Sequence, residues 1–192
     1  MELLKQKILT EGRVVGEGIL KVDGFLNHQI DVELVNEMGK DIYEHFKHKG
    51  ITKILTIEAS GIGLACMAAM HFGCKVLYAK KSKTSNMGSA DLYVSKAYSF
   101  THQVENTVLI SKKYLPADEK VLIIDDFLAH GEASTALIDL VKQSGAELCG
   151  VSIAIEKGFQ GGGDKLRADG IDLYSLAIID SMDGGKIIFR ED

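Results

Sequence analysis

With 192 residues, 46% of them hydrophobic and 26% charged, the chain is long enough for a full core and too ordinary in composition for a fibre or a disordered tail. Its formal charge of −5 excludes a protein built mainly to neutralise nucleic-acid phosphates; basic residues cluster only locally, at Lys80, Lys81 and Lys83 and at Lys112 and Lys113. Cys66, Cys74 and Cys149 lack C-x-x-C spacing, the N-terminus lacks a signal-peptide core, and no apolar run is long enough to span a bilayer. A cytoplasmic protein with neither membrane nor nucleic acid as its partner is expected.

In chain order, Leu3, Leu4 and Ile8 give Met1–Thr10 helical spacing, with a stop at Gly12. Residues 13–22 read as extended and lead into an irregular Asp23–Asp31. Leu34, Val35, Met38, Ile42 and Phe46 predict a helix over Asp31–Lys49, capped by Asp31 and closed by Gly50. Thr52–Ile57 predicts a strand, followed by Gly61, Gly63 and an apolar helix to Phe72, then a strand at Lys75–Ala79. Residues 92–100 and 104–110 alternate as a two-stranded antiparallel excursion with its tip at Thr101–Gln103. Val121–Ile124 is an apolar run suited to a strand buried on both faces. A helix at Ala133–Ser144, a strand at Leu148–Ile155, a short helix near Gly163–Ala168 and weaker strands at Leu173–Leu176 and Lys186–Phe189 complete the chain. The alternation predicts one doubly wound parallel α/β domain over 1–192, with a core of about 31–160 and a small cap from 13–30 and 171–192.

The strongest chemical signal is Val121–Ser134. A buried strand delivers Asp125 and Asp126 to its exposed end, and the loop through Gly131 runs straight into a helix whose first N–H groups suit an anion. Two adjacent acids alone would more often cap a helix or bind water. With the apolar run before them and the glycine loop after them, a sugar held by its hydroxyls with its phosphate in the loop is the better account. Ile57–Gly63 is a second strand–glycine–helix turn able to offer amides and the Ser60 hydroxyl, though it lacks the third glycine of a dinucleotide fingerprint. His28, His45, His48, His71 and His102 have no carboxylate or cysteine at ligand spacing, and Asp139, Glu147 and Arg190–Asp192 read as solvated charge.

The Val121–Ser134 segment resembles the phosphoribosyl-pyrophosphate motif of type I phosphoribosyltransferases. The resemblance implies that Asp125 and Asp126 bind the ribose hydroxyls and that Ala129, His130, Gly131, Glu132 and Ala133 cradle the 5-phosphate. It implies further that Ala59, Ser60 and Gly61, with Lys81, hold the leaving pyrophosphate. Lys80–Lys83 equally suit a solvated basic surface. The hairpin carrying Tyr98, Ser99 and Thr101 matches the family's mobile catalytic loop. The family commonly has hydroxyl and glycine residues where this chain has His130, Glu132 and Ala133; this reduced loop is similar to that of the xanthine-specific bacterial branch.

Leu20–Asp31 and Ile155–Gln160 also resemble that branch, end to end and at similar length, which implies purine contacts from Leu20, Asn27 and Lys157. Lys157 only donates, so it suits the C6 oxygen of an oxopurine and not the amino group of adenine. Phe159 can stack on the base. Asn27 can donate to the C2 oxygen of xanthine or accept from the amino group of guanine. The resemblance therefore implies transfer of phosphoribosyl from phosphoribosyl pyrophosphate to xanthine in purine salvage, with Mg2+ accompanying the pyrophosphate, no metal site made directly by the protein, and a homodimer. A guanine or hypoxanthine transferase and a non-catalytic phosphoribosyl-pyrophosphate sensor stay open.

Overall fold

In a computed structural model of the chain, residues 1–16, 18–82, 91–99 and 104–191 are described; Lys83, Thr101, the expected tip Thr101–Gln103 and Asp192 lie outside them. The chain opens with α1 (Glu2–Glu11) and a two-stranded antiparallel sheet of β1 (Arg13–Val15) and β2 (Ile19–Lys21), followed by a π-helical turn over Asp23–Asn27. The Asp31 carboxylate accepts from Leu34 N–H at 3.1 Å and caps α2 (Val32–Phe46), whose apolar stripe is buried. Gly50 adopts the left-handed φ of 66° that ends the following 3-10 turn.

Next come β3 (Lys53–Ile57), α3 (Gly61–Phe72), β4 (Lys75–Ser82), β5 (Leu92–Ser99), β6 (Val104–Ser111), β7 (Lys120–Leu128), α4 (Glu132–Ser144), β8 (Glu147–Lys157), α5 (Gly162–Ala168), β9 (Leu173–Ser181) and β10 (Ile188–Phe189). The main sheet runs β10-β9-β8-β7-β3-β4-β6-β5, and the five strands from β9 to β4 are mutually parallel. Strand alternation splits the core between the two faces. Leu122 and Ile124 join the cluster of α1, α2 and α3, while Val121 and Ile123 join that of α4 and α5. Covered on both faces, β7 and β8 are therefore apolar almost throughout.

One expectation needs correction. The weak strand near Leu173–Leu176, assigned to the cap, runs Leu173–Ser181 and pairs parallel with β8 from Val151↔Leu173 to Lys157↔Ile179, so it belongs to the main sheet. Its half-buried strand faces leave a weak periodic signal. The expected antiparallel pair of β5 and β6 is present, and β6 joins it to the main sheet through Lys80↔Leu109 and Lys81↔Val108 of β4.

The parallel connections diverge between β3 and β7: the chain passes from β3 to β4 on one side and from β7 to β8 and β9 on the other. Such a switch point opens a crevice at the carboxyl ends of the strands. Its walls depend on close helix contact. A Cβ on Gly39 of α2 would sit 2.7 Å from Ala68 N and 2.9 Å from Met67 C of α3. Gly39→Ala should thus destabilise the protein by about 1–3 kcal/mol through overpacking, outweighing a helix-propensity gain of roughly 0.5–1 kcal/mol. Urea unfolding checks this, and an unchanged or raised midpoint would refute the contact.

Candidate active site

Both acids expected to bind the sugar lie at the carboxyl end of β7. Asp125 is buried and Asp126 half-buried, as successive residues on opposite faces of a strand end must differ. Asp126 N–H donates to Asp125 Oδ1 at 3.0 Å. Burial first, and the Asp126 charge second, hold the Asp125 carboxyl well above the ordinary carboxylate range, against the pull of Lys81. Asn27 reaches across from the turn after β2 and donates from Nδ2 to Asp126 Oδ2 at 3.2 Å. Because a carboxylate only accepts, this contact orients the amide and ties the residue expected at the base to one expected at the sugar.

Directly behind the acids stands the first glycine loop. A Cβ on Gly61 would lie 2.4 Å from Thr56 Oγ1 and 2.8 Å from Asp125 Oδ1, so only glycine lets this loop back onto the carboxylate. Thr56 is fully buried and its hydroxyl has no partner among the described residues. Ala59 accepts from Ile62 N–H at 3.2 Å, and Ser60 immediately precedes α3 without spending its side chain on a cap. Lys81 is exposed, and its main-chain N–H donates to Glu58 Oε1 at 2.7 Å. Glu58 was not singled out from sequence; its role appears only once β3 and β4 lie side by side.

The second loop follows β7. Gly131 takes φ 94°, a left-handed value, and gives α4 no side-chain cap, which leaves the amides of the first turn for a ligand. Ala129 O accepts from Gly162 N–H at 3.1 Å, and His130 Nδ1 lies 3.1 Å from Gln160 O. Glu132 and Ala133 open α4, half-buried, and Ser134 Oγ is buried without a partner.

Lys157 ends β8. Its ammonium donates to Gly18 O at 2.9 Å and stands 5.6 Å from the Phe127 ring centroid; half-burial pushes its pKa down. Phe159 lines a cavity of about 620 Å3 with Gly16, Gly18, Gln160 and the Asp180–Gly185 loop. Of the four residues expected at the base, Phe159 alone lines this cavity among the described residues, Lys157 meets its wall at Gly18, and Asn27 lies with the acids. Leu20 is buried in the core cluster instead. Arg190, expected to be solvated charge, pairs with Asp180 at 2.9 Å beside this cavity.

Beneath the cavity, Glu156 is fully buried. Burial raises its pKa, but hydrogen bonds from Arg167 and Ser175 outweigh that effect and hold it below the ordinary value. Arg167 binds both carboxylate oxygens, at 2.8 and 2.7 Å. The partners are distant in sequence, so no local spacing announces them.

The segment that carries the strand-end acids and both glycine loops is matched by the family model described as the phosphoribosyl transferase domain, over residues 21–168. The chain belongs to the phosphoribosyltransferase family. Among relatives, it is 57% identical to a xanthine phosphoribosyltransferase of Ruminiclostridium cellulolyticum, covering 100% of both chains. It is 54% identical to that of Clostridium novyi, over 99% of this chain and 100% of that one. The fold is similar to adenine phosphoribosyltransferases of known structure. That of Rhodothermus marinus gives a TM-score of 0.73 at 22% identity over 93% and 100% of the two chains, and that of Giardia lamblia gives 0.75 at 21% over 91% and 96%.

The buried acid makes stability depend on pH. The folded chain holds the Asp125 proton more tightly than the unfolded chain, so this stabilising effect is complete below the ordinary carboxylate pKa of about 4 and is lost as pH rises through the raised folded value. Asp125→Asn should therefore gain stability relative to the parent as pH rises from about 4 to 8. Parallel unfolding curves across that range would show that Asp125 is not strained by burial.

Proposed function

We propose that the protein transfers the phosphoribosyl group from phosphoribosyl pyrophosphate to N9 of xanthine, giving xanthosine 5'-monophosphate and pyrophosphate. The observation that carries this reading is the convergence at the β3/β7 crevice of Asp125, Asp126 and Gly61, with Asn27 bonded to Asp126. The names of the full-length relatives support xanthine as the base. In this reading Asp125 and Asp126 hold the ribose hydroxyls, Ala129–Ala133 the 5-phosphate, Ala59–Gly61 and Lys81 the pyrophosphate, and Leu20, Asn27, Lys157 and Phe159 the base. The whole chain acts as one domain, with β1, β2 and the turn to residue 30 as a cap.

Glycosyl centres react through an oxocarbenium-like state, so the protein's work is positioning and exclusion of water. The acids fix the ribose, and the loops keep the departing pyrophosphate away from the reacting carbon. Among the described residues no three His, Cys, Asp or Glu side chains converge as a cage, while the Asp126 carboxylate retains acceptor capacity beyond its bond to Asn27. That donor set fits Mg2+ arriving on the pyrophosphate, held by substrate oxygens near Asp126; when bound, it would neutralise leaving-group charge.

No helix among the described residues is long and apolar enough to cross a membrane. The three unbridged cysteines favour the reducing cytoplasm. A homodimer is supported by α3, which carries no Asp, Glu, Lys or Arg yet leaves Met70 73% exposed, and by an apolar groove lined by Tyr78, Leu92, Leu109 and Tyr114. Sedimentation should give twice the chain mass, and Met70→Lys should shift it toward the monomer; a monomeric parent would refute the dimer.

The catalytic test offers xanthine, guanine, hypoxanthine and adenine with Mg2+ and phosphoribosyl pyrophosphate, following pyrophosphate release. Xanthine should react fastest. Faster guanine turnover would overturn the base, and no release with any base would favour a sensor over an enzyme. Asp126→Asn should cut turnover by about 10²-fold without unfolding the protein. Lys157→Gln should narrow the bias against adenine by about tenfold, and an unchanged bias would remove Lys157 from the base site.

A further inference from the structure

The turn after β8, Gly158–Gly162, is anchored from two sides. On one side it rests on the phosphate loop, through Gly162 N–H to Ala129 O at 3.1 Å and through His130 Nδ1 at 3.1 Å from Gln160 O. A carbonyl oxygen only accepts, so Nδ1 carries the proton in this contact. The approach is too close for a side chain at Gly162, whose Cβ would meet Ala129 O at 2.4 Å and His130 C at 2.6 Å. On the other side, the bond of buried Glu156 with half-buried Arg167 locks the strand end. Gly163 permits that lock, since its Cβ would fall 1.9 Å from Glu156 Oε1.

Between these anchors the turn presents Phe159 and Gln160 to the 620 Å3 cavity, and Gln160 Oε1 is buried with no partner among the described residues. A buried amide oxygen left unpaired is costly and is relieved by an incoming N–H, which an oxopurine ring supplies. The imidazole of the phosphate loop thus grips by its backbone the residue whose side chain lines the cavity.

We infer that His130 is a positioning residue for the base: its ring holds the Gly158–Gly162 turn through Gln160 O, while the main-chain amides of its loop serve the sugar phosphate. The inference rests on the oxopurine reading above. It separates two functions within one loop. Loss of the ring removes one of the two bonds that tie the turn to the phosphate loop and loosens Phe159 and Gln160 together, while the phosphate cradle keeps its main-chain donors.

The test is steady-state kinetics of His130→Ala and His130→Asn, with the oxopurine that the parent enzyme turns over and with separate KM values for base and phosphoribosyl pyrophosphate. His130→Ala should raise the base KM about 3- to 10-fold, the scale of one hydrogen bond, and by more than it raises the phosphoribosyl-pyrophosphate KM. His130→Asn, whose amide can donate to the same carbonyl, should restore the base KM. His130 is exposed, so both variants should melt within a few degrees of the parent. A rise confined to the phosphoribosyl-pyrophosphate KM, equal changes in both, no change in either, no rescue by asparagine, or an unfolded variant would each overturn the inference. A parent inactive on every oxopurine would instead overturn the base reading on which it rests.

Discussion

At the carboxyl end of β7 a carboxyl group is kept out of water, and much of the crevice is arranged around that constraint. Asp125 can be buried there because β7 is flanked by β3 and β8 and covered on both faces. Water is kept off it on one side by Gly61, whose missing side chain lets the loop before α3 close onto Thr56 and Asp125. The consequence is a pair of adjacent acids in unlike environments, Asp125 desolvated and Asp126 half-exposed and bonded to Asn27. A sugar diol bound across them would restore to Asp125 the hydrogen-bond donors that burial withholds. The stability lost by burying the acid is a feature of sites selected for binding over stability.

The subsites proposed for sugar and base are joined to each other. Asn27 joins Asp126, Ala129 and His130 join the turn after β8, and Lys157 joins the β1–β2 connection at Gly18. These are single hydrogen bonds between elements far apart in the chain. They make the geometry of the cavity depend on the loop before α4. Behind them the Glu156–Arg167 pair supplies rigidity at a depth where a lone charge would be prohibitive.

Features written in contiguous residues were legible in the sequence. The apolar run before Asp125, the cap at Asp31 and the glycine stops at Gly50 and Gly145 each act within a few residues, so their spacing declares them. What escaped notice depends on distant partners. Nothing near Glu58 foretells its bond to Lys81 N–H, and Arg190 looks solvated until β10 brings it to Asp180. The strand at Leu173–Ser181 reads as shorter and as part of the cap for another reason: its half-buried faces blur the alternation that marks a strand, and pairing with β8 decides its place.

The central claim is that one crevice holds the sugar by Asp125 and Asp126 and its phosphate by the loop before α4. A crystal structure with xanthosine 5'-monophosphate tests it most directly. The account predicts both ribose hydroxyls on the two carboxylates and the 5-phosphate on the main-chain amides of residues 131–134, with the purine between Lys157 and Asn27. A nucleotide whose phosphate sits instead on the Ala59–Gly61 loop, or whose ribose leaves Asp125 and Asp126 untouched, would contradict it.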